Sequence, residues 1–368
     1  MNRMEWLANL TPTQQFVLFS VVKIIFAVAI LMPIIAYAVL VERRLCAFIQ
    51  DRVGPNRVGP FGLLQPLADG AKAILKEDFT PEHVRKVYYW LAPALCMIPA
   101  LLTLAVIPFG SNLGNSNNRM VIADLNVGIL YTFGIVSLGV YGIVLAGYAA
   151  NSKYSFLGGI RSSAQMISYE IAMGMSVIPV FMLVGSLNLS AVIDYQAGRI
   201  PDPETGRLIQ HSSGLLSWLV FKQPLAFLIF LVAAFAETNR LPFDLPESEQ
   251  ELVGGYNTEY SSMKFALFFM GEYANVILSS AMMVTLFFGG WTLPVFGLEQ
   301  PADSLGKGLL HIGIFLGKMA AFLILFIWVR WMLPRFRYDQ LMDLGWRRFI
   351  PLALANIVVT AILLWVRA

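Results

Sequence analysis

The chain has 368 residues, of which 57% are hydrophobic and only 13% are charged, and its formal net charge is +3. A soluble domain carries about 25% charged residues, so most of the surface of this chain faces something other than water. The small net charge argues against a nucleic-acid partner. Two cysteines are too few for an iron–sulfur cluster, which takes about four thiolates, and the three histidines have no metal-ligand spacing.

Long apolar runs divide the chain at regular intervals. A membrane-spanning helix needs roughly 20 apolar residues, and eight runs meet that requirement. We therefore predict an all-α polytopic membrane helix bundle of about eight transmembrane helices, forming a single integral membrane domain over residues 1–368. The predicted spans, numbered one to eight in chain order, are about 16–41, 87–108, 126–149, 164–185, 216–237, 264–289, 309–331 and 349–366.

Basic residues are concentrated in two of the connections, those after spans one and seven. The positive-inside rule places these connections in the cytoplasm and both termini on the outer, periplasmic side. The sequence that precedes the first span lacks the basic region and cleavage site of a signal peptide, so we expect that span to be retained. The basic residues of the two connections are Arg43, Arg44, Arg52, Arg57, Lys72, Lys76, Arg85 and Lys86 after span one, and Arg335, Arg337, Arg347 and Arg348 after span seven.

The first cytoplasmic connection contains an apolar pattern that is too short to span a membrane. Over residues 61–76, leucine, isoleucine and alanine recur at helical spacing, with polar and charged residues on the opposite face. This pattern predicts an amphipathic helix lying in the membrane interface.

The connection after span five is acidic, in contrast to the other cytoplasmic connections. From Glu237 it reads E-T-N-R-L-P-F-D-L-P-E-S-E-Q-E-L-V-G-G-Y-N-T-E-Y, with Arg240 as its only basic residue. A solvated acidic loop over residues 238–263 is one interpretation. The apolar residues mixed among the carboxylates, the two prolines and the Gly-Gly pair favour a defined, turn-rich loop instead.

Charged residues also lie where lipid disfavours them. Glu170 and Glu272 are inside spans four and six, Glu237 closes span five, and Lys318 is near the middle of span seven. A charge at the centre of a bilayer costs about 3 kcal/mol on insertion scales, and such residues usually face the bundle interior and mark proton or ion paths. The alternative is a static Glu–Lys pair that only locks the helix packing.

These charged segments resemble a known family. The first match is V-E-R-R-L-C-A-F-I-Q-D-R-V-G-P-N-R-V-G-P-F-G-L-L-Q-P-L-A-D-G-A-K at 41–72, and the second is A-E-T-N-R-L-P-F-D-L-P-E-S-E-Q-E-L-V-G-G-Y-N-T-E-Y-S-S at 236–262. Two further matches cover 151–170 and 334–342. The sequence resembles the H-subunit family of bacterial proton-translocating NADH–quinone oxidoreductase, called NADH dehydrogenase subunit 1 in mitochondria.

The resemblance implies the quinone-chamber membrane subunit of respiratory complex I. Such a complex is a translocase (EC 7.1.1.-) that couples quinone reduction by electrons from NADH to proton translocation in the cell inner membrane. Quinone, either ubiquinone or menaquinone, is implied as bound substrate, with no metal or iron–sulfur cluster in this chain. The implied partners are lipid, membrane-arm subunits A, J, K, L, M and N, and peripheral-arm subunits B, D (or fused CD) and I.

The resemblance also implies roles for individual residues, none of them catalytic in this chain itself. The family's quinone tunnel lies between spans one and six and the interfacial helix. The matching positions are Glu42, Arg43, Arg52 and Asp69 for the tunnel; Arg240, Asp244, Glu247, Glu249 and Glu251 for the coupling loop; Glu170, Glu237, Glu272 and Lys318 for the proton path; and Arg335 and Arg337 for nearby basic groups.

One position departs from the family pattern. Some relatives carry an acid in span three, whereas this chain has Ser137 and Leu138 there. We expect a polar group or water to take the place of that acid.

Three other functions remain possible on the sequence alone. The nearest is the membrane anchor subunit of a related energy-converting hydrogenase or formate hydrogenlyase complex. The others are an autonomous proton-coupled transporter, which the missing internal repeat disfavours, and a purely structural scaffold, which the cost of the buried charges disfavours.

Overall fold

A computed structural model describes residues 11–112, 119–201, 208–210, 214–245, 254–295 and 297–367 of the chain. In that part helices predominate, and the strands form two short antiparallel hairpins. The helices are α1 (Pro12–Ile49), α2 (Gln65–Leu75), α3 (Lys86–Thr103), α4 (Gly128–Ala149), α5 (Lys153–Val184), α6 (Leu189–Gln196), α7 (Leu219–Lys222), α8 (Pro224–Glu237), α9 (Ser262–Phe287), α10 (Leu305–Met332), α11 (Tyr338–Asp343) and α12 (Ile350–Arg367). The strands are β1 (Gly110–Asn112), β2 (Arg119–Met120), β3 (Arg199–Pro201) and β4 (Leu208–Gln210), with β1 paired to β2 and β3 to β4.

The all-α membrane bundle predicted from the apolar runs is confirmed. Within the described residues, seven helices are long and apolar enough to cross a membrane, namely α1, α3, α4, α5, α9, α10 and the continuous segment Tyr338–Val366 that contains α11 and α12. A turn of π-helix, Leu344–Phe349, joins α11 to α12.

Predicted span five differs from the others because a proline interrupts it. Gln223 has a non-helical backbone (φ −134°, ψ 59°), as expected for a residue that precedes proline, and Pro224 starts α8. The α8 helix that follows has 14 residues, which corresponds to about 21 Å at 1.5 Å per residue. The polypeptide of this span is therefore a short apolar helix preceded by a separate turn of helix, α7.

Two helices extend beyond their apolar runs. α1 continues to Ile49, so Glu42 and Arg43 belong to its last turns and not to the connection that follows. α5 begins at Lys153, which places Glu170 in the middle of a 32-residue helix. The added residues of α5 are rich in serine and glycine, and several of them are buried against neighbouring protein, so they need no apolar character.

Small residues let the central helices approach closely. A Cβ on Gly142 of α4 would lie 2.9 Å from the backbone nitrogen of Cys96 in α3, and one on Gly147 would lie 2.6 Å from the backbone oxygen of Ser155 in α5. Close backbone contact at small residues is a main source of helix association in membranes. α9 packs against α3, α10 and α1, which brings Tyr273 of α9 beside Glu42 of α1.

We expect a methyl group at Gly142 to destabilise the bundle. In Gly142→Ala the new Cβ would lie within 3.1 Å of three backbone atoms of α3. The two helices must then move apart, which should lower the unfolding free energy by about 1–3 kcal/mol. Gly139→Ala, on the same helix, has no atom within 4 Å of its Cβ and is the matched control. Thermal unfolding in detergent should show a lower midpoint for Gly142→Ala alone, and equal midpoints would contradict the proposed close contact.

Candidate functional site

A buried carboxylate, Glu42, joins three other segments of the chain to α1. Tyr273 of α9 donates its hydroxyl proton to Glu42 Oε2 at 2.6 Å. Arg240 Nη1, from the loop after α8, lies 3.2 Å from Oε1 and 3.3 Å from Oε2. Arg330, near the end of α10, also donates to Glu42. We call Glu42, Arg240, Tyr273 and Arg330 the Glu42 cluster.

The charge of Arg240 is stabilised by this arrangement. Burial disfavours the charged guanidinium, but the Glu42 carboxylate beside it outweighs that effect and raises the pKa of Arg240 above its usual range. The guanidinium carbon also lies 4.2 Å from the centre of the Tyr273 ring, in a cation–π contact. Arg240 therefore remains a fixed positive charge beside Glu42.

The loop that carries Arg240 is held by a buried glutamine of α5. Gln165 Nε2 donates to the backbone oxygens of Ala236 and Phe243, each at 2.7 Å. Phe243 also packs edge-on against Tyr169 of α5, with ring centres 5.5 Å apart. These contacts position the turn between α8 and the acidic segment, and so fix the place of Arg240.

An apolar cavity of about 260 Å³ opens beside the Glu42 cluster. It lies between α1, α9 and α10, and we call it the α1–α10 cavity. Its apolar wall includes Ile34, Leu323 and Phe326, and all four residues of the cluster line its polar end. A cavity with an apolar body and one charged end suits an amphipathic molecule.

A second cavity, of about 420 Å³, lies between α1, α2 and α9, and we call it the α1–α2 cavity. Arg43 and Asp69 both line it, and they form an ion pair of 2.7 Å that joins α1 to α2. Tyr273 lines both cavities, and residues of α1 also border each of them. The residues expected at the tunnel are thus divided: Arg43 and Asp69 face the α1–α2 cavity, and Glu42 faces the α1–α10 cavity.

Arg52 lines neither of these cavities. Its Nε donates to Gln50 at 2.7 Å, and it borders a surface depression together with Arg44 and Phe48. In this chain alone, Arg52 is therefore separate from the other three residues expected at the tunnel.

The three carboxylates expected on the proton path have different surroundings. Glu272 is buried and accepts a hydrogen bond of 2.9 Å from Tyr256. Glu237 is also buried, and within the described residues its Oε2 has no hydrogen-bond partner. Glu237 lines a cavity of about 30 Å³ together with Thr132, Asn275 and other residues, which is enough room for a water molecule.

The third carboxylate, Glu170, is partly buried and hydrogen-bonds to Ser137 of α4. The serine that stands where some relatives have an acid therefore contacts the carboxylate row directly. Glu170 and Glu237 also lie within electrostatic range of each other.

Lys318 has a different environment from these carboxylates. Its ammonium group donates to the backbone oxygens of Phe288 at 2.7 Å, Gly290 at 3.0 Å and Thr292 at 2.7 Å. It also lies 4.5 Å from the centre of the Trp218 ring. All three N–H groups are used on carbonyls of the turn that follows α9, so Lys318 holds that turn in place. No described contact pairs it with a carboxylate.

The remaining expected residues lie around the acidic loop. Arg335 forms a 2.9 Å ion pair with Asp244, which ties the start of this loop to the segment after α10. Arg337 pairs with Asp339 at 2.8 Å on the exposed surface. Glu247, Glu249 and Glu251 lie outside the described residues.

Several residues of the site were not predicted from the sequence. Tyr273 and Arg330 complete the Glu42 cluster, Gln165 holds the loop, and Tyr256 is the partner of Glu272. An arginine just inside the end of an apolar helix, as at 330, is a signal that could have been followed. The tyrosines and the glutamine carry no such signal, because only the fold brings them to their partners.

Comparison with known proteins identifies relatives over nearly the whole chain. A family model described as NADH dehydrogenase matches residues 22–361. The NADH-quinone oxidoreductase H subunit numbered 2 in Koribacter versatilis is 46% identical over 361 residues, which cover 94% of this chain and 97% of the relative. The H subunit numbered 1 in Geobacter metallireducens is 47% identical over 360 residues, 97% of this chain and 100% of the relative. The H subunit of Flavobacterium johnsoniae is 46% identical over 345 residues, 92% and 93% of the two chains.

The chain belongs to the H-subunit family of NADH-quinone oxidoreductase. Its resemblance to that family, carried by the charged segments, is confirmed over most of its length. The alternative of a hydrogenase or formate hydrogenlyase anchor is not favoured, because these relatives are named as subunits of NADH-quinone oxidoreductase.

We expect Glu42→Gln to destabilise this family member strongly. The change leaves Arg240 and Arg330 facing a neutral amide, and removing one partner of a buried ion pair costs about 3 kcal/mol even at the low end. Arg337→Gln, which removes an exposed ion pair, should cost less than about 1 kcal/mol and serves as the control. Unfolding by SDS from mild detergent measures both variants.

The same measurement on Glu42→Gln/Arg240→Gln tests whether the two side chains interact. The double variant should be less destabilised than the sum of the two single changes, because the second change removes the unpaired charge left by the first. Additive effects would show that the pair contributes no coupling.

Lys318→Met should lower the unfolding free energy by at least about 2 kcal/mol, because three backbone oxygens in the turn after α9 lose their donor. Lys307→Met, on the same helix, removes only a weak pair with exposed Asp303 and should change it by less than about 1 kcal/mol. Equal unfolding curves for the two variants would contradict the role of Lys318 in holding the turn after α9.

Proposed function

We propose that this chain is the quinone-chamber subunit of respiratory complex I and that it couples quinone reduction to proton translocation. Membership of the family supports a membrane subunit of an NADH–quinone oxidoreductase. The observation that carries the finer proposal is the Glu42 cluster, because it joins the wall of two cavities to the loop that follows Glu237.

The two cavities suit a quinone as substrate. A quinone has a long apolar tail and a ring with two carbonyl oxygens, so it needs an apolar groove that leads to hydrogen-bond donors. The α1–α2 cavity lies between the helices expected to frame the tunnel, with Arg43, Asp69 and Tyr273 in its wall. The tail would lie against Phe265 and Phe269 of α9, and the ring would pass the Arg43–Asp69 pair.

Reduction of a quinone to a quinol takes two electrons and two protons. The electrons would reach the ring from a partner subunit. The negative charge that develops on the ring during reduction would attract Arg240 and loosen its pairing with Glu42. Because Arg240 follows Glu237 by three residues and is hydrogen-bonded back to Phe235 of α8, a shift of Arg240 would move the end of that helix.

The proton path would run through the buried carboxylates. Glu272 precedes Tyr273 in α9, Glu237 ends α8, and Glu170 lies in α5. In the proposed order of transfer, Glu237 comes between the Glu42 cluster and Glu170. Each can hold a proton and pass it on through hydroxyl groups or water, as proton relays in membrane proteins do. The carboxylates Asp244, Glu247, Glu249 and Glu251 would supply the first protons, and Arg335 would hold Asp244 in place.

The proposal includes a position for the chain in its complex. We place it as a multi-pass protein of the cell inner membrane, with both termini on the outer side and the acidic loop in the cytoplasm. The loop would face the peripheral-arm subunits B, D or CD and I, and the helices would contact the membrane-arm subunits A, J, K, L, M and N and lipid. The bound quinone would be ubiquinone or menaquinone.

The proposal is tested by Glu237→Gln and Arg240→Gln in membranes that contain the whole complex. Glu237→Gln should lower quinone-linked NADH oxidation and proton pumping by about 100-fold, the usual effect of losing a proton-transfer group. Arg240→Gln should lower both as well, because the contact that joins Glu42 to the loop after α8 is lost. NADH oxidation by an artificial acceptor such as ferricyanide should remain, because it bypasses this subunit.

Asp303→Asn is the control. Asp303 is an exposed carboxylate just before α10, and its ion pair with Lys307 is long, at 4.0 Å. The variant should pump at the rate of the unmodified complex. Quinone-linked turnover and pumping at that same rate in both Glu237→Gln and Arg240→Gln would refute the proposal.

A further inference from the structure

We propose that Ser137 is a positioning residue of the proton path, whose hydroxyl keeps Glu170 hydrogen-bonded in both its neutral and its ionised form. The proposal rests on the proposed function, because it assigns to Glu170 a role in carrying protons. Ser137 is not a carboxylate, and the proton path described above assigns it no role.

The hydrogen bonds of Ser137 form a chain of three groups. Its Oγ lies 2.8 Å from the backbone oxygen of Phe133, one turn earlier in α4, and it also hydrogen-bonds Oε1 of Glu170 in α5. A serine hydroxyl has one proton to donate and can accept from other donors. The Phe133 oxygen can only accept, so the proton on Ser137 cannot serve both partners at once.

Two arrangements keep Glu170 hydrogen-bonded. When Glu170 is protonated, it donates to Ser137 Oγ, and the serine donates to the Phe133 oxygen. When Glu170 is ionised, the hydroxyl turns by rotation about its C–O bond and donates to the carboxylate. Ser137 can therefore follow the charge of Glu170 without any movement of the helices.

No other side chain of the described residues hydrogen-bonds to Glu170. A partly buried carboxylate without a donor would be costly to ionise, because the loss of a hydrogen bond to a charged group costs more than the loss of a neutral one. A residue with no hydroxyl at 137 would thus favour the neutral carboxyl and hold its proton more tightly.

The part of α4 that carries Ser137 also borders the cavity beside Glu237. Phe133 and Val136, its neighbours on α4, line the small cavity that contains Glu237. Glu237, from α8, lies within electrostatic range of Glu170. Ser137 thus contacts one carboxylate directly, and its neighbours on α4 border the cavity beside the other.

Ser280, in another membrane helix, offers a close comparison. It is buried in α9, and its Oγ donates to the backbone oxygen of Val276, four residues earlier, at 2.7 Å. Among the described contacts it makes the same helical hydrogen bond as Ser137 but touches no carboxylate. Ser280→Ala is therefore the matched control for Ser137→Ala.

The test is infrared difference spectroscopy on the intact complex with ¹³C-labelled glutamate, with proton pumping measured in parallel. The carboxyl band of Glu170 is identified by its loss in Glu170→Gln. In Ser137→Ala that band should move to higher wavenumber, because the carboxyl loses its hydrogen bond, and coupled turnover should fall by about tenfold. Ser137→Thr, which keeps the hydroxyl, should restore both, and Ser280→Ala should match the unmodified complex.

An unchanged Glu170 band in Ser137→Ala would overturn the role of Ser137 while leaving the proposed function intact. So would an equal loss of turnover in Ser137→Ala and Ser280→Ala, since that would indicate a purely structural effect of removing a helical serine. If Glu170→Gln itself pumped at the full rate, both the role of Ser137 and the place of Glu170 in the proposed path would be wrong.

Discussion

One carboxylate facing two guanidinium groups is the interaction on which the rest of this site depends. Glu42 lies in α1, Arg330 at the end of α10 and Arg240 in the loop after α8, and Tyr273 adds a phenol from α9. In a low-dielectric interior none of these charges can be left alone without a large cost in free energy. The four segments are therefore bound to a common geometry, and the loop cannot move without changing the wall of the α1–α10 cavity.

Helix α9 carries both a member of the Glu42 cluster and a second buried carboxylate, Glu272. Consecutive residues of an α-helix point about 100° apart, so Glu272 and Tyr273 face different groups. Tyr273 contacts Glu42, and Glu272 accepts a hydrogen bond from Tyr256. A residue of the cavity wall and a buried carboxylate are thus adjacent positions of one helix.

How much of this was predictable depends on whether the signal is local. Runs of apolar residues predicted the bundle, because burial in lipid requires apolar side chains along the whole of a span. They failed at the ends of α1 and α5, where polar residues continue the helix because neighbouring protein covers them. They also failed at α8, where Pro224 starts the helix late in an apolar run.

The site was predictable only in part for a similar reason. Glu170, Glu237 and Glu272 are conspicuous because a carboxylate in an apolar run is costly, and the fold places two of them in buried surroundings and the third in a partly buried one. The hydrogen-bond partners of Glu170, Glu272 and Glu42 are the neutral residues Ser137, Tyr256 and Tyr273. Nothing in the sequence distinguishes them from other polar residues, since their partners lie 33, 16 and 231 positions away.

Lys318 and Glu237, which the resemblance places together on the proton path, differ in their hydrogen bonding. Every N–H of Lys318 is bonded to a backbone oxygen, so loss of its proton would leave one of three carbonyls without a donor. Glu237 has an oxygen with no partner among the described residues and a cavity beside it that can hold water. A group with spare hydrogen-bonding capacity can gain or lose a proton without disrupting its surroundings. Both are charged residues in apolar runs, and their hydrogen bonds distinguish them.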